Sequence, residues 1–201
     1  MFIASIEAEE IERLEQASFP GRIHLIDTVG SEFNKAVSYL KSQKVIGFDT
    51  ETRPCFSASQ PRYGVGLLQL SGKEHAFLFR INHMGLPKKL SSLLASNRVI
   101  KVGAAVTDDI RGLQKYQEFT PRAFVDLQKI VGDYGIHDRS VKKMTAIILG
   151  FRISKAQQLS NWEAETLSES QMKYAATDAW VCREMYLRLM NYEPLPQTES
   201  L

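Results

Sequence analysis

The sequence predicts an α/β fold: a mixed five-stranded sheet, three antiparallel strands followed by parallel βα units, flanked by helices. Three observations carry this expectation. The apolar run Val45-Ile46-Gly47-Phe48 is a buried-type strand that stops abruptly at Asp49. Tyr63 to Leu70 and Ala76 to Ile81 are two further strands, joined by the turn Ser71-Gly72-Lys73 into a meander with the first. From Leu86 onward, helical and strand patterns alternate as βα units do.

Each element follows in chain order. Residues 1–20 carry five glutamates against Arg13, a net −4, and Ile3, Ile6, Ile11 and Leu14 recur near helical spacing. This acidic arm is read as a short amphipathic helix ended by Phe19-Pro20-Gly21, packing on the body, on a protein partner or on a second copy. The meander comes next, then a helix at Leu86 to Ala95, a strand at Arg98 to Val102, a helix at Asp108 to Tyr116 and a strand at Ala123 to Val125. Helical patterns cover Leu127 to Val131, Ser140 to Leu149 and Ser168 to Met190, the last with Ser168 and Gln171 placed as a capping box. Residues 21–190 form the working domain, and 191–201, polar and containing Pro194 and Pro196, a flexible tail.

Composition bounds the class. With 44% hydrophobic and 24% charged residues, the 201-residue chain is an ordinary globular protein able to bury a core without disulfides. Cys55 and Cys182 form no ligand cluster, which excludes a secreted disulfide scaffold. The longest apolar stretch, Ala146 to Phe151, falls far short of a membrane span, and the acidic N-terminus is the opposite of a secretory or transit peptide. A cytoplasmic location is expected, or a nuclear one in a eukaryote.

Three sites place carboxylates where apolar residues belong. Asp49 and Glu51 sit at i and i+2 at the end of a strand, so they point to one side and converge. Asp178 interrupts the stripe Ala175, Cys182, Met185, Leu189 of the last helix, with Tyr174 one turn before it. Asp108 and Asp109 begin a helix straight after an apolar strand. Taken singly, these are a solvated strand end, a salt-bridged acid and ordinary first-turn acids. Together they offer hard oxygen ligands without imidazole or thiolate, a set that suits Mg²⁺ or Mn²⁺ rather than zinc.

The same segments resemble the DnaQ-like 3′–5′ exonucleases on a ribonuclease H-like fold, in the ribonuclease D branch and closest to the Werner-type exonuclease domain. The likeness runs over residues 24–190. Motif I reads Phe48-Asp49-Thr50-Glu51, motif II spans Val102 to Leu113 around Asp109, and motif III is Tyr174-Ala175-Ala176-Thr177-Asp178-Ala179. Gly66-Leu67-Leu68-Gln69-Leu70 and Ser160-Asn161-Trp162 are supporting matches. Tyrosine four residues before the last acid, with Lys173 at the position where another subclass has histidine, marks the tyrosine (DEDDy) subclass. Aligning Lys101-Val102-Gly103 favours Asp109 over Asp108, while Ile110-Arg111 departs from the tryptophan often found there.

The resemblance implies that Asp49, Glu51, Asp109 and Asp178 hold two divalent ions, Mg²⁺ or Mn²⁺, and that Tyr174 aligns an attacking water. The implied reaction is hydrolysis of the terminal phosphodiester of DNA or RNA, releasing nucleoside 5′-monophosphates. Arg139, Lys142, Lys143, Arg152 and Lys155 lie in a stretch, 139–162, that contains no acid, so this segment is expected to contact phosphates or to be a solvated helix face. Thr50, Arg53 and Trp162 are further candidates for substrate contact, although core packing is the favoured role for Trp162, since large aromatics are mostly buried. A catalytically silent nucleic-acid-binding or scaffold domain is the alternative, and it predicts a missing acid or tyrosine, whereas all are present. The net charge of +2 hides its distribution: without the arm at −4 and the tail at −2, residues 21–190 carry +8.

Overall fold

Val45–Thr52 is paired on both edges, and the sheet is arranged around it. The computed structural model describes residues 1–57 and 62–196; positions 58–61, and 197–201 at the end of the expected tail, lie outside the described residues. Six strands make one mixed sheet: β1 (Arg22–Ile26), β2 (Val45–Thr52), β3 (Val65–Ser71), β4 (His75–Arg80), β5 (Ile100–Gly103) and β6 (Phe124–Asp126), in the order β1-β4-β3-β2-β5-β6. β2, β3 and β4 form the antiparallel meander, and β5 and β6 continue parallel from the other edge of β2. The expected count of five strands is therefore corrected to six. The additional strand, β1, pairs parallel with β4 at the sheet edge. It is five residues long, with Arg22 and His24 among its apolar positions, so it lacks the uninterrupted apolar run that marks β2.

The helices among the described residues are α1 (Ala8–Arg13), α2 (Ser31–Ser42), α3 (Ile81–Met84), α4 (Lys88–Leu94), α5 (Val106–Gln114), α6 (Leu127–Ile130), α7 (Val141–Leu149) and α8 (Glu169–Leu189). α2 was also unforeseen, although Phe33, Ala36, Val37 and Leu40, all buried, recur at helical spacing. None of these helices is long and apolar enough to cross a membrane.

Strand alternation sends Ile46 and Phe48 to a face that packs with Leu68, Leu70, Phe79 and residues of α2, α4 and α5. Gly47, Asp49 and Glu51 turn to the opposite face, beneath α8. Gly47 permits this arrangement, because a Cβ there would sit 1.7 Å from the carbonyl oxygen of Ala179. The α8 backbone thus lies directly on β2, and the long helix is registered against the sheet one residue from Asp178.

The arm is helical only over Ala8–Arg13 and packs on α7, where Ile6 and Ile11 bury against Ala146. Ile3 stays exposed. The arm is also tied by hydrogen bonds: Ile6 N donates to Asp138 Oδ2 at 3.0 Å, His137 N to Ala4 O at 2.8 Å, and Ala17 N to Arg152 O at 2.9 Å.

Candidate active site

Asp49 and Glu51 reach the site because they are consecutive members of one strand face at the C-terminal end of β2, where α8 crosses. Asp178 comes from the middle of α8, whose first turn is fixed by the Ser168–Gln171 capping box. Carboxylate oxygens of Asp49, Glu51 and Asp178 all lie within 4.8 Å of one another. Among the described residues, this is the one group of three or more acids, histidines or cysteines so gathered.

Asp109 joins from α5, whose start is set by Ala105 in a left-handed conformation (φ 57°). Ala105 N donates to Asp126 Oδ1 at 2.9 Å, so an acid that sequence reasoning did not single out fixes where α5 begins. Asp109 stands just outside the triad and is tied to it by Thr50, whose hydroxyl donates to Asp109 Oδ1 at 2.5 Å. The neighbouring acid behaves differently: Asp108 faces solvent and pairs with Arg111 at 3.3 Å, as a first-turn acid does.

The electrostatics of the cluster are those of buried acids crowded against one another. Burial, with Glu51, Asp178 and Asp109 nearby, raises the Asp49 carboxyl well above the usual range. Burial, then Asp178 and Asp109, pushes Glu51 up to about 9. Burial raises Asp109 to about 6 against the Thr50 hydrogen bond, and Asp178 to about 7 against the Tyr174 hydroxyl and the Lys155 ammonium. Burial first, then the charges of Asp178 and Glu51, holds the Tyr174 hydroxyl above its ordinary value, so it stays a phenol that donates to Asp178. Repulsion of this kind is relieved by a cation. Three convergent oxygens and a fourth acid next to them, with no nitrogen or sulfur ligand, fit hard divalent ions of the Mg²⁺ or Mn²⁺ type.

The acids open into a cavity of about 300 Å³ lined by Asp49, Thr50, Glu51, Lys142, Lys155, Tyr174 and Asp178. Ser140 and Gln158, not anticipated from sequence, also line it. Tyr174 is shared with a second cavity of about 210 Å³, walled by Gln16, Ala17 and Ser18 of the arm and by Ser154, Ala156 and Lys173.

The expected phosphate-contacting cations divide. Lys142 lines the cavity, but its ammonium pairs with Glu12 of the arm at 2.7 Å. Lys143 pairs with Asp138 at 3.0 Å. Arg152 holds the arm, donating through Nε to Leu14 O at 3.1 Å and through Nη1 to Gln16 Oε1 at 2.6 Å. Arg139 turns to the carbonyl of Gln128. Lys155 is exposed and favours the ionised form of Asp178. Arg53 stacks over the Tyr63 ring at 4.5 Å, beside Glu163 at 3.9 Å. Trp162 is corrected: it is completely buried, its ring centroid 6.0 Å from that of Tyr174, so it packs behind the tyrosine and presents no face to a base. No local signal shows the pairings of Lys142 and Arg152, because the acid near both, Glu12, and the other groups that engage Arg152 belong to the N-terminal arm.

Comparison with known proteins agrees with this geometry. A family model described as 3′–5′ exonuclease matches residues 26–192. The chain is 32% identical over 177 residues to exonuclease 3′–5′ domain-containing protein 2 of Drosophila melanogaster, covering 84% of this chain and 30% of that protein. It thus spans about a third of that relative's length. The solved Nibbler EXO domain of Aedes aegypti superposes with a TM-score of 0.73 at 24% identity, over 87% of this chain and 93% of that one. Trypanosoma brucei RNase D, solved in complex with RNA U12, superposes with a TM-score of 0.71 at 20% identity, over 90% of this chain and 65% of that one.

Proposed function

The chain belongs to the 3′–5′ exonuclease domain family, and from that premise we propose that it removes nucleotides from the 3′ ends of DNA or RNA, releasing nucleoside 5′-monophosphates. The observation that carries the proposal is the convergence of Asp49, Glu51 and Asp178 within 4.8 Å, next to the Tyr174 phenol. The working unit is residues 21–190, with 1–20 as an arm and 191–201 as a tail.

In this reading Asp49, Glu51, Asp109 and Asp178 hold two divalent ions, Mg²⁺ or Mn²⁺, which when bound would make a water nucleophilic at neutral pH and stabilise the departing 3′ oxygen. The chain's own residues set the geometry. Thr50 fixes the Asp109 carboxylate, and Asp178 accepts from Tyr174, so the hydroxyl is held at the mouth of the acid cluster. There it hydrogen-bonds the attacking water and orients it. A phenol held above its ordinary pKa does not remove the proton, and its contribution is positioning. Trp162 and Leu167 pack against Tyr174 from behind and keep the ring from swinging away. Lys155 and Lys142, at the same cavity, meet the phosphates of the terminal nucleotides.

The test is incubation of the purified chain with 5′-labelled single-stranded DNA, 3′-recessed duplex and RNA, with Mg²⁺, Mn²⁺ or EDTA. A ladder shortening from the 3′ end, lost in EDTA and in Asp49→Ala, is expected. Metal-independent cutting, or cleavage of a circular substrate, overturns the proposal. Tight binding of the same oligonucleotides without hydrolysis would support a silent binding domain instead.

A further inference from the structure

Gln69 lies at the centre of the sheet with no exposed surface, and neither its Oε1 nor its Nε2 has a hydrogen-bond partner. The third such orphan among the described residues, Trp162 Nε1, lies in the same layer. Leaving buried amide and indole groups unpaired costs free energy that an apolar side chain of equal size would avoid. Such a residue calls for a specific reason.

The β2–β3 register supplies one. Gln69 stands directly opposite Asp49, and residues opposed on antiparallel strands share a face with Cβ atoms about 4.5–5.5 Å apart. The carboxamide is therefore on the α8 side of the sheet, within one side-chain length of the Asp49 carboxylate. Its neighbours on that face along β3 and across on β4 are apolar or already engaged. Leu67 and Leu78 belong to the cluster formed with Trp162, Ala175 and Ala176. Ser71, two residues along, donates to Gly72 O at 3.1 Å. The three orphaned atoms and the neighbouring carboxylate form a complementary set: an indole donor, an amide acceptor, an amide donor and a carboxylate acceptor.

We propose that Gln69 is a positioning residue for Asp49: unpartnered in the cation-free protein, its Nε2 turns, once cations are bound, to donate to the Asp49 oxygen facing away from them while its Oε1 accepts from Trp162 Nε1. The proposal rests on the metal-dependent reading above. It assigns a role to a strand residue that offers no metal ligand and lines neither cavity. Held in this way in the cation-bound state, the Asp49 carboxylate keeps one rotamer, and the two hydrogen bonds add to cation affinity because they form only when the ion is present. The chain Trp162–Gln69–Asp49 also joins the wall behind Tyr174 to the floor of the acid cluster, so the water-aligning group and the ligand share one support.

Gln69→Met tests this, because it keeps the shape and removes both polar groups. Calorimetric titration of the full chain with Mn²⁺ alone should show affinity weakened by about tenfold or more, the usual scale for a lost outer partner of a metal ligand. The melting temperature in EDTA should stay level or rise, because two unpaired groups are gone. A merely structural glutamine produces the second effect without the first. If Gln69→Met destabilises the fold, Gln69→Leu, checked by circular dichroism, takes its place in the titration. Mn²⁺ affinity within twofold of wild type in a folded variant overturns the proposal while leaving the functional reading intact. Wild-type protein that binds no Mn²⁺ overturns both.

Discussion

Asp178→Asn separates the stability of the site from its function, and the two should move in opposite directions. Burial raises the Asp178 carboxyl from an ordinary value near 3.8 to about 7. The unfolded chain gives up this proton near pH 4, while the folded protein keeps it until near pH 7. Between those values the folded state holds more protons, so metal-free stability falls as pH rises through that window and levels off above it. Each pKa unit is worth about 1.4 kcal/mol, and roughly three units set a ceiling of ~4 kcal/mol. An effective dielectric nearer 20 than 4 brings this to about 2 kcal/mol. Asparagine has no charge to desolvate and still accepts from Tyr174. In EDTA at pH 8 the variant should melt about 4–8 °C above wild type for a chain of 201 residues. The gap should shrink towards zero near pH 4. Thermal melts across pH 4–9 in EDTA and in Mn²⁺ decide it: Mn²⁺ should stabilise wild type and leave the variant nearly unmoved, with exonuclease activity lost. A variant less stable than wild type in EDTA at pH 8, or a gap as large at pH 4, would refute the reasoning.

Tyr174→Phe keeps the ring that packs on Trp162 but removes the hydroxyl that aligns the water and donates to Asp178; kcat should fall about a hundredfold at saturating Mn²⁺, and Mn²⁺ affinity should weaken as well, measured by steady-state rates beside calorimetry. Glu12→Gln frees Lys142 from its 2.7 Å pair and should tighten binding of a single-stranded oligonucleotide in EDTA, by up to about fivefold, the limit for an exposed ion pair. Lys142→Ala should weaken the same binding and lower the salt slope by about 0.7, which fluorescence anisotropy across salt concentrations reads directly. Gly47→Ala places a methyl group 1.7 Å from the Ala179 carbonyl oxygen and should cost about 1–3 kcal/mol in urea denaturation, with Mn²⁺ affinity falling as α8 is pushed from β2.

What was legible in the sequence was whatever local chemistry makes improbable. A strand ending in Asp-Thr-Glu and an aspartate in the apolar stripe of a helix each break their own element's pattern, and both lie in the site. Asp109 and Asp108 were harder to separate, since both are first-turn acids. Thr50, on β2 and 59 residues before Asp109, distinguishes them by hydrogen-bonding one and leaving the other in solvent. β1 is an edge strand of mixed polarity, and its partner β4 is brought to it only by the folded chain. α2 carried a readable stripe, Phe33, Ala36, Val37 and Leu40, but Gly30 caps it without a side-chain hydrogen bond, so its start has no capping signature. The basic segment was the least legible part. Its charges were visible, but the partners of Lys142 and Arg152 come from the arm, and charge counting along a sequence does not show which cations are already spoken for.

The site and the fold make opposing demands at one place. Setting α8 directly on β2 requires a glycine at position 47 and brings Asp178 against Asp49 and Glu51, a contact that in the absence of cations destabilises the protein above neutral pH. The compensation is distributed over apolar packing on both sides of the sheet: Trp162 and Ala175 on one face, Phe48 and Leu68 on the other. A core of that kind tolerates acids at its margin because the strain is electrostatic and, on the proposed function, would be relieved by the cations that the reaction uses. The same logic accounts for the arm. Its glutamates lower the net charge of the chain, yet the one that touches the cavity, Glu12, does so by pairing with Lys142. On the proposed function, a strand of nucleic acid entering the site would exchange that carboxylate for a phosphate, and the arm would trade some affinity for a surface that does not hold polyanions indiscriminately.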